Sequence, residues 1–178
     1  AACVFCPYPT MKRQRGTMDM GLFRKIVDEA ADIPIVDMIT ITGLGEPLLD
    51  KHLYERLKYV REKMPGIHLD LYTNGTYLTD EKIDEFLDAK LTVLYISLNG
   101  ANAAKRRQIM FPQNGHDDFD FVCAQARKAM AKGLKVVVKA VTSKDLMEHD
   151  ERDEFKEMWG GFVDEGGNAF MHLEGNWA

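Results

Sequence analysis

Several features that define whole classes of proteins are scarce in this sequence of 178 residues. It has only three cysteines, too few for the disulfide framework of a small secreted protein, so we expect a reducing, cytoplasmic compartment. No run approaches the roughly 18 apolar residues of a membrane-spanning helix, and no signal peptide opens the chain. We therefore expect no membrane partner.

Positive charge is also in short supply. The sequence has 23 Lys and Arg against 28 Asp and Glu, which gives a net charge of -5. The one dense basic run, residues 12–15, has the pattern of a solvated loop, and a nucleic-acid partner is not expected. A hydrophobic content of 46% and a charged content of 29% are ordinary for a globular domain of this length.

Segments with strand and helix patterns alternate along the chain. Apolar, β-prone runs predict five strands, at residues 36–42, 67–73, 91–97, 134–141 and 169–173. Amphipathic spacing predicts five helices, near residues 22–30, 53–60, 79–87, 119–130 and 151–159. We expect Asp50 and Thr79 to be the N-caps of the second and third helices.

This alternation predicts an α/β fold with a parallel sheet, because parallel neighbours need long crossover connections. Strands that read as continuous apolar runs suggest that both faces of the sheet are covered. Periodicity alone leaves two architectures open, a partial barrel and a flavodoxin-like doubly wound sheet.

Polar residues directly follow the predicted strands. They are Glu46, Thr73, Asn74, Ser97, Asn99, Thr142, Ser143 and Glu174. In parallel α/β folds the carboxyl ends of the strands meet at one edge, where ligands bind. Each turn is common by itself, but together with a cysteine pair they predict a cofactor pocket at this edge.

A cysteine pair opens the chain. Cys3 and Cys6 have CxxC spacing, and the prolines Pro7 and Pro9 favour a loop around a metal or cluster over a redox-active helix. Thiolates suit iron and zinc alike, so the spacing does not choose between them. Cys123 falls in a helical pattern as a buried apolar residue, and the histidines show no paired ligand spacing.

The segment Cys3-Val4-Phe5-Cys6, together with the turn Thr42-Gly43-Leu44-Gly45-Glu46-Pro47, resembles the radical S-adenosylmethionine (SAM) superfamily. That family carries CxxxCxΦC, with Φ aromatic, and a Gly-Gly-Glu-Pro or Gly-x-Gly-Glu-Pro turn after its second strand. The resemblance implies a [4Fe-4S] cluster and SAM as cofactors. It also implies a parallel (β/α)6 partial TIM barrel. We expect residues 1–178 to be the core domain, with the first strand and the first cluster cysteine upstream of Ala1.

The resemblance assigns expected roles residue by residue. Cys3 and Cys6 take the second and third cluster-ligand positions, and Phe5 packs near the adenine. Gly43, Gly45 and Glu46 match the turn that binds the amino group of the SAM methionine.

The remaining expected contacts come from later strands. Positions at the ends of the third and fourth strands match contacts to the ribose or the methionine carboxylate, namely Thr73, Asn74, Ser97 and Asn99. Arg106 or Arg107 lies where relatives place a carboxylate-binding arginine, and a surface role for both is the alternative.

The function implied is reductive cleavage of SAM to a 5′-deoxyadenosyl radical, which abstracts hydrogen from a peptide, a protein side chain or a small sugar. A reductase, a flavodoxin or a ferredoxin would supply the electron. Residues 172–177 end in Asn176-Trp177, which resembles the point where a SPASM- or twitch-type protein leads into an auxiliary-cluster extension, here expected to be missing. The alternative for these residues is a local aromatic anchor that packs against the last strand. The alternative is a non-catalytic α/β module with a structural zinc or iron site at the CxxC.

Overall fold

The computed structural model describes residues 2–12, 14–111, 118–141, 149–159 and 170–171. Several predicted features lie outside these residues: Arg13, His116, Thr142, Ser143 and the segment 172–177, which includes His172 and Glu174.

Five parallel strands form the main sheet. In chain order the described strands are β1 (Ala2–Cys3), β2 (Met38–Ile41), β3 (His68–Thr73), β4 (Val93–Ser97), β5 (Met110–Phe111), β6 (Val136–Val141) and β7 (Phe170–Met171). The sheet has the order β2-β3-β4-β6-β7, and the two-residue strands β1 and β5 form a separate antiparallel pair. The prediction of a parallel α/β fold is confirmed.

The strand order decides between the two architectures. Each strand of the main sheet pairs with the next main-sheet strand along the chain, and every pairing is parallel. A doubly wound sheet would reverse its order at a switch point, whereas a barrel-type sheet continues in one direction. The described strands therefore have the partial-barrel order, and the flavodoxin-like alternative is wrong. A further strand upstream of Ala1 remains a prediction.

Helices connect these strands. They are α1 (Met20–Ala31), α2 (Leu53–Lys63), α3 (Asp80–Asp88), α4 (Ala103–Ile109), α5 (Phe119–Ala131) and α6 (His149–Trp159), with 3-10 turns at Tyr8–Thr10 and Pro47–Leu49. Five of them match the predicted helices, whereas the seven-residue α4 was not predicted. None of the helices in the described ranges has the length and apolar character needed to cross a bilayer.

One of the two predicted N-caps is confirmed. Thr79 Oγ1 accepts a hydrogen bond from the Lys82 backbone N–H at the start of α3 (3.3 Å). The prediction for Asp50 is wrong, because α2 begins only after His52. Asp50 instead ends the preceding 3-10 turn, where its carboxylate accepts from the His52 N–H (2.9 Å) and from Arg56 Nε (2.7 Å).

The two faces of the sheet differ in chemistry. One face packs against the helices in a single apolar core that includes Leu69, Leu71, Leu94, Ile96 and Val138. Full burial of a Leu or Ile side chain contributes about 1.5–3 kcal/mol to stability. Side chains alternate along a strand, so the intervening residues occupy the opposite face. That face carries polar and aromatic groups, so the continuous apolar pattern expected of the strands does not extend to it.

Candidate active site at the carboxyl edge of the sheet

A cavity of about 410 Å³ lies at the carboxyl ends of the strands. It is lined by all ten residues that the sequence predicted for the site: Cys3, Phe5, Cys6, Gly43, Gly45, Glu46, Thr73, Asn74, Ser97 and Asn99. The fold thus brings the cysteine turn together with the ends of three successive strands. The role of each residue stays a prediction.

The cysteine turn is attached to the end of α4. The Cys6 N–H donates to the Cys3 carbonyl (3.0 Å), which closes a tight turn, and the Val4 N–H donates to the Ile109 carbonyl (3.0 Å). Cys3 also pairs with Met110 in the antiparallel β1–β5 ladder. Through these contacts, the position of both thiols depends on the C-terminal end of α4.

Both thiols of the turn are free and half-buried. Burial, and then the neighbouring Cys6, raise the pKa of the Cys3 thiol. Because a charge on Cys6 opposes a charge on Cys3, the two thiols ionise together most readily when a cation binds them, and the pair suits iron or another thiophilic metal.

The ligand set is incomplete within the described ranges. Among those residues no group of three or more His, Cys, Asp or Glu side chains could hold a metal ion. A structural zinc site needs four ligands, and within the described residues the turn offers two thiols, Cys3 and Cys6, while Cys123 is buried in α5. The two thiols therefore account for only part of the ligand set of a metal or cluster.

Glu46 joins the turn after β2 to the end of β3. Its Oε1 accepts from Thr73 Oγ1 (2.5 Å) and from the Leu48 N–H (3.1 Å), and its Oε2 accepts from the Asn74 N–H (2.9 Å). An ionised carboxylate has about four acceptor positions, so these three bonds leave one for a ligand. The sequence predicted Glu46 as a ligand-binding residue but did not predict that its carboxylate connects the turn after β2 to the end of β3.

Arg106 binds the backbone at the ends of β3 and β4. Its Nη1 donates to the carbonyls of Ser97 (3.1 Å) and Leu98 (2.8 Å), and its Nη2 donates to the Asn74 carbonyl (2.9 Å). Arg106 is 3% exposed and does not line the cavity. Both roles expected for it, a carboxylate ligand and a surface residue, are therefore wrong. Arg107 is exposed.

Asp118 is the charge partner of Arg106. Arg106 Nε donates to Asp118 Oδ1 (2.9 Å), and Thr76 Oγ1 donates to Oδ2 (2.6 Å). Burial alone would raise the pKa of Asp118, but the hydrogen bonds from Arg106 and Thr76 outweigh it and the pKa is lowered. No local motif signals this pair, because its members meet only after α4 and α5 have packed.

Two glycines let helices approach the strand ends closely. Gly75 has φ +80°, and a Cβ there would lie 2.7 Å from Val122 Cγ1 of α5. A Cβ on Gly100 would lie 2.6 Å from the Arg106 backbone nitrogen. The Asn-Gly turns seen in the sequence are thus required for packing as well as for chain reversal.

The polar face of the sheet extends the cavity below the strand ends. Tyr72 and Tyr95 are directly paired on β3 and β4, and their rings stack with centroids 4.4 Å apart. Lys139 Nζ lies 4.1 Å from the Tyr95 ring centroid and 4.8 Å from that of Tyr72. This cluster was not predicted, although the alternation in residues 68–73 could have indicated a polar strand face.

Residues 1–157 match the family model of the radical SAM superfamily. One curated relative is the tungsten-containing aldehyde ferredoxin oxidoreductase cofactor-modifying protein of Pyrococcus furiosus, which is 33% identical over 97 residues. The match covers 54% of this chain and 27% of that protein. Across seven of the curated relatives the chain spans between 27% and 46% of their length.

Solved structures share the fold. The structure of anSMEcpe with bound AdoMet superposes with a TM-score of 0.74 at 18% identity, covering 89% of this chain and 44% of that one. Streptococcus suis SuiB bound to precursor peptide SuiA gives a TM-score of 0.73 at 19% identity, covering 89% of this chain and 33% of that one. At these identities the likeness concerns the fold alone.

Proposed function

Because this chain belongs to the radical SAM superfamily, we propose that it is the core of an enzyme that cleaves SAM reductively and abstracts hydrogen from a substrate. The superfamily uses a [4Fe-4S] cluster together with SAM. The observation that carries the proposal is the single cavity that the cysteine turn shares with the ends of β2, β3 and β4.

Cys3 and Cys6 would hold two irons of the cluster, and a cysteine four residues before Cys3 would hold the third. When bound, such a cluster would supply the electron for reductive cleavage of the sulfur–C5′ bond of SAM, which would give a 5′-deoxyadenosyl radical. Phe5 lies between the two cysteines in the sequence and lines the cavity, and its ring would pack against the adenine.

The turn after β2 would bind the methionine end of SAM. Gly43 and Gly45 line the cavity without a side chain, so a ligand can approach their backbone. The acceptor position left on Glu46 would take a charge-assisted hydrogen bond from the methionine ammonium. The bonds from Thr73 and Asn74 keep the carboxylate in place for that contact.

Polar groups at the ends of β3 and β4 would bind the ribose and the methionine carboxylate. They belong to Thr73, Asn74, Ser97 and Asn99. Arg106 would act on them indirectly, because it holds the carbonyls of Asn74 and Ser97 while its side chain stays outside the cavity.

For the substrate we propose a peptide, a protein side chain or a small molecule such as a sugar. The structure of SuiB bound to its precursor peptide, which has the same fold, supports a peptide as one of these substrates. A reductase, a flavodoxin or a ferredoxin would deliver the electron, and the oxygen sensitivity of such clusters is consistent with a reducing cytoplasm.

The proposal is tested by anaerobic reconstitution of the full-length protein with iron and sulfide, followed by dithionite and SAM. We expect slow release of 5′-deoxyadenosine without substrate, measured by chromatography. Cys3→Ala and Cys6→Ala should each abolish that release, because each removes a cluster ligand. Cys123→Ala is the matched control: this cysteine is buried in α5 away from the cavity, so its removal should preserve the release. A sample with a reducible four-iron cluster but no 5′-deoxyadenosine would overturn the proposal.

A further inference from the structure

The cluster of Lys139, Tyr72 and Tyr95 lies one layer below the residues proposed to bind SAM. Tyr95 precedes Ser97 by two positions in β4, so both lie on one face of that strand. Tyr72 is the partner of Tyr95 on β3, two positions before Asn74, which follows the end of that strand. Lys139 is paired with Ser97 in the sheet, and its ammonium extends down over the two rings. Tyr72 and Lys139 line the same cavity as the proposed SAM ligands.

The Lys139 ammonium has donors to spare. It donates one hydrogen bond, to the Tyr72 hydroxyl (3.1 Å). Within the described ranges no carboxylate lies within ion-pair distance of it. An ammonium has three donor hydrogens, and the tyrosine rings offer only π-faces to the remaining two.

The surroundings favour an anion at this position. Burial lowers the pKa of Lys139, while the more distant charge of Asp70 opposes that shift. The Oδ1 atom of Asp70 lies 2.8 Å from His68 Nε2, so part of the Asp70 charge interacts with that histidine instead of Lys139. Burial also raises the pKa of Tyr72 and Tyr95, which keeps both phenols neutral. The hydrogen bond of the Lys139 ammonium goes to a neutral phenol and Asp70 acts on it only from beyond ion-pair distance, so an anionic ligand would add the charge-assisted hydrogen bond that this half-buried cation lacks.

We infer that Lys139, held over the stacked rings of Tyr72 and Tyr95, binds a carboxylate of the substrate directly below SAM. The inference rests on the proposed function, because it places the substrate in the SAM cavity. A single ammonium balances the charge of one carboxylate but only part of the charge of a phosphate. The other cation that lines the cavity, Arg15, already donates to the carbonyls of Tyr8 (3.4 Å) and Pro9 (3.3 Å).

The methionine carboxylate of SAM is the other carboxylate that could bind the Lys139 ammonium. We assign Lys139 to the substrate because its ammonium lies at the level of Tyr72 and Tyr95, below Asn74 and Ser97, whereas the proposed methionine contacts are at the strand ends. An experiment with two readouts separates the two sources.

The first readout is ligand binding, measured by fluorine NMR on the full-length, SAM-loaded protein. Fluoroacetate and fluoroacetamide are the probes, since they match in size and differ in charge. We expect fluoroacetate to bind about tenfold more tightly, as one charge-assisted hydrogen bond would give. Lys139→Met should bind the two probes equally, and Lys139→Arg should retain the preference. Lys135→Met removes the same charge from an exposed position four residues earlier and serves as the control. If Lys139→Met does not fold, Lys139→Gln replaces it.

The second readout is SAM affinity together with substrate-free release of 5′-deoxyadenosine, which tests the proposed function separately. Both should stay within about twofold of wild type in Lys139→Met, because SAM does not contact Lys139. Equal binding of both probes by the wild type, or a preference that survives in Lys139→Met, would overturn the inference. A tenfold loss of SAM affinity in Lys139→Met would assign Lys139 to the methionine carboxylate and overturn it as well. Failure of the wild type to release 5′-deoxyadenosine would count against the proposed function alone.

Discussion

Replacement of Arg106 by methionine should be among the most destabilising changes in this domain. The guanidinium is 3% exposed, and the side chain of its partner Asp118 is 17% exposed, so the ion pair is close to fully buried. Removal of one partner from such a pair leaves an uncompensated charge and costs about 3–5 kcal/mol. Typical domains have a free energy of unfolding of about 5–15 kcal/mol, so much of the stability would be lost.

Urea unfolding, monitored by circular dichroism, measures this loss of stability. A double-mutant cycle with Asp118→Asn measures how much of the loss comes from the interaction between the two side chains. The double variant should be more stable than the sum of the two single losses predicts, with a coupling of about 0.5–3 kcal/mol. Arg107→Met, on the exposed side of the same helix, is the control and should change stability by less than about 0.5 kcal/mol. A loss below about 1 kcal/mol for Arg106→Met, or additive losses in the cycle, would refute this account of the buried pair.

Acid gives an independent check on the same pair. The pKa of Asp118 is lower in the folded state than in the unfolded chain, where Asp titrates near pH 3.9. A depressed folded pKa gives stability that is fully present above the unfolded pKa and is lost as pH falls through the folded one. The difference in stability between wild type and Asp118→Asn should therefore shrink below about pH 4. A difference that stays constant down to the acid transition would contradict the assignment.

Two further predictions concern the cofactors. Glu46→Gln should weaken SAM binding about tenfold or more with unchanged iron content, because it removes a charge-assisted hydrogen bond of about 1.5–3 kcal/mol. Loss of iron and of folding together with SAM binding would mark the residue as structural. Unchanged SAM affinity would remove it from the site. A chain that begins at Ala1 should bind a four-iron cluster poorly because it carries only Cys3 and Cys6 of the motif, and stoichiometric, stable loading measured by iron and sulfide analysis would contradict the need for an upstream cysteine.

The strands and their ends were predictable because the signals are local. A β-prone run that stops at Asn-Gly or Gly-x-Gly-Glu-Pro indicates both the strand and the edge at which its polar residues meet. For that reason Glu46, Asn74 and Ser97 could be placed in one pocket before any coordinates were known. The CxxC turn depended on the same kind of local pattern.

The parts that were missed depend on contacts between distant segments. Helix α4 has seven residues, three of them cationic, and no apolar period, so its stability comes from packing and from the ion pair with Asp118. Arg106 looked like a ligand or a surface residue because its acceptors are backbone carbonyls, which leave no trace in sequence. Lys139 appeared as one more residue of a β-prone run, since only the strand register places it over Tyr72 and Tyr95.

Helix α4 contacts both the strand ends and the cysteine turn of the proposed site, and these two contacts restrict its length. Through Arg106 it holds the ends of β3 and β4, and through Ile109 and Met110 it holds the cysteine turn. One inserted residue between these two points would advance the helix by about 1.5 Å and rotate its end by about 100°. At a Cα radius of about 2.3 Å, the rise and the rotation together move the helix end by about 3.8 Å, the spacing of consecutive Cα atoms, and the thiols would be displaced from the strand ends by a similar distance. Related chains should therefore accept many residue types along α4 but rarely a change in the number of residues between Arg106 and Ile109.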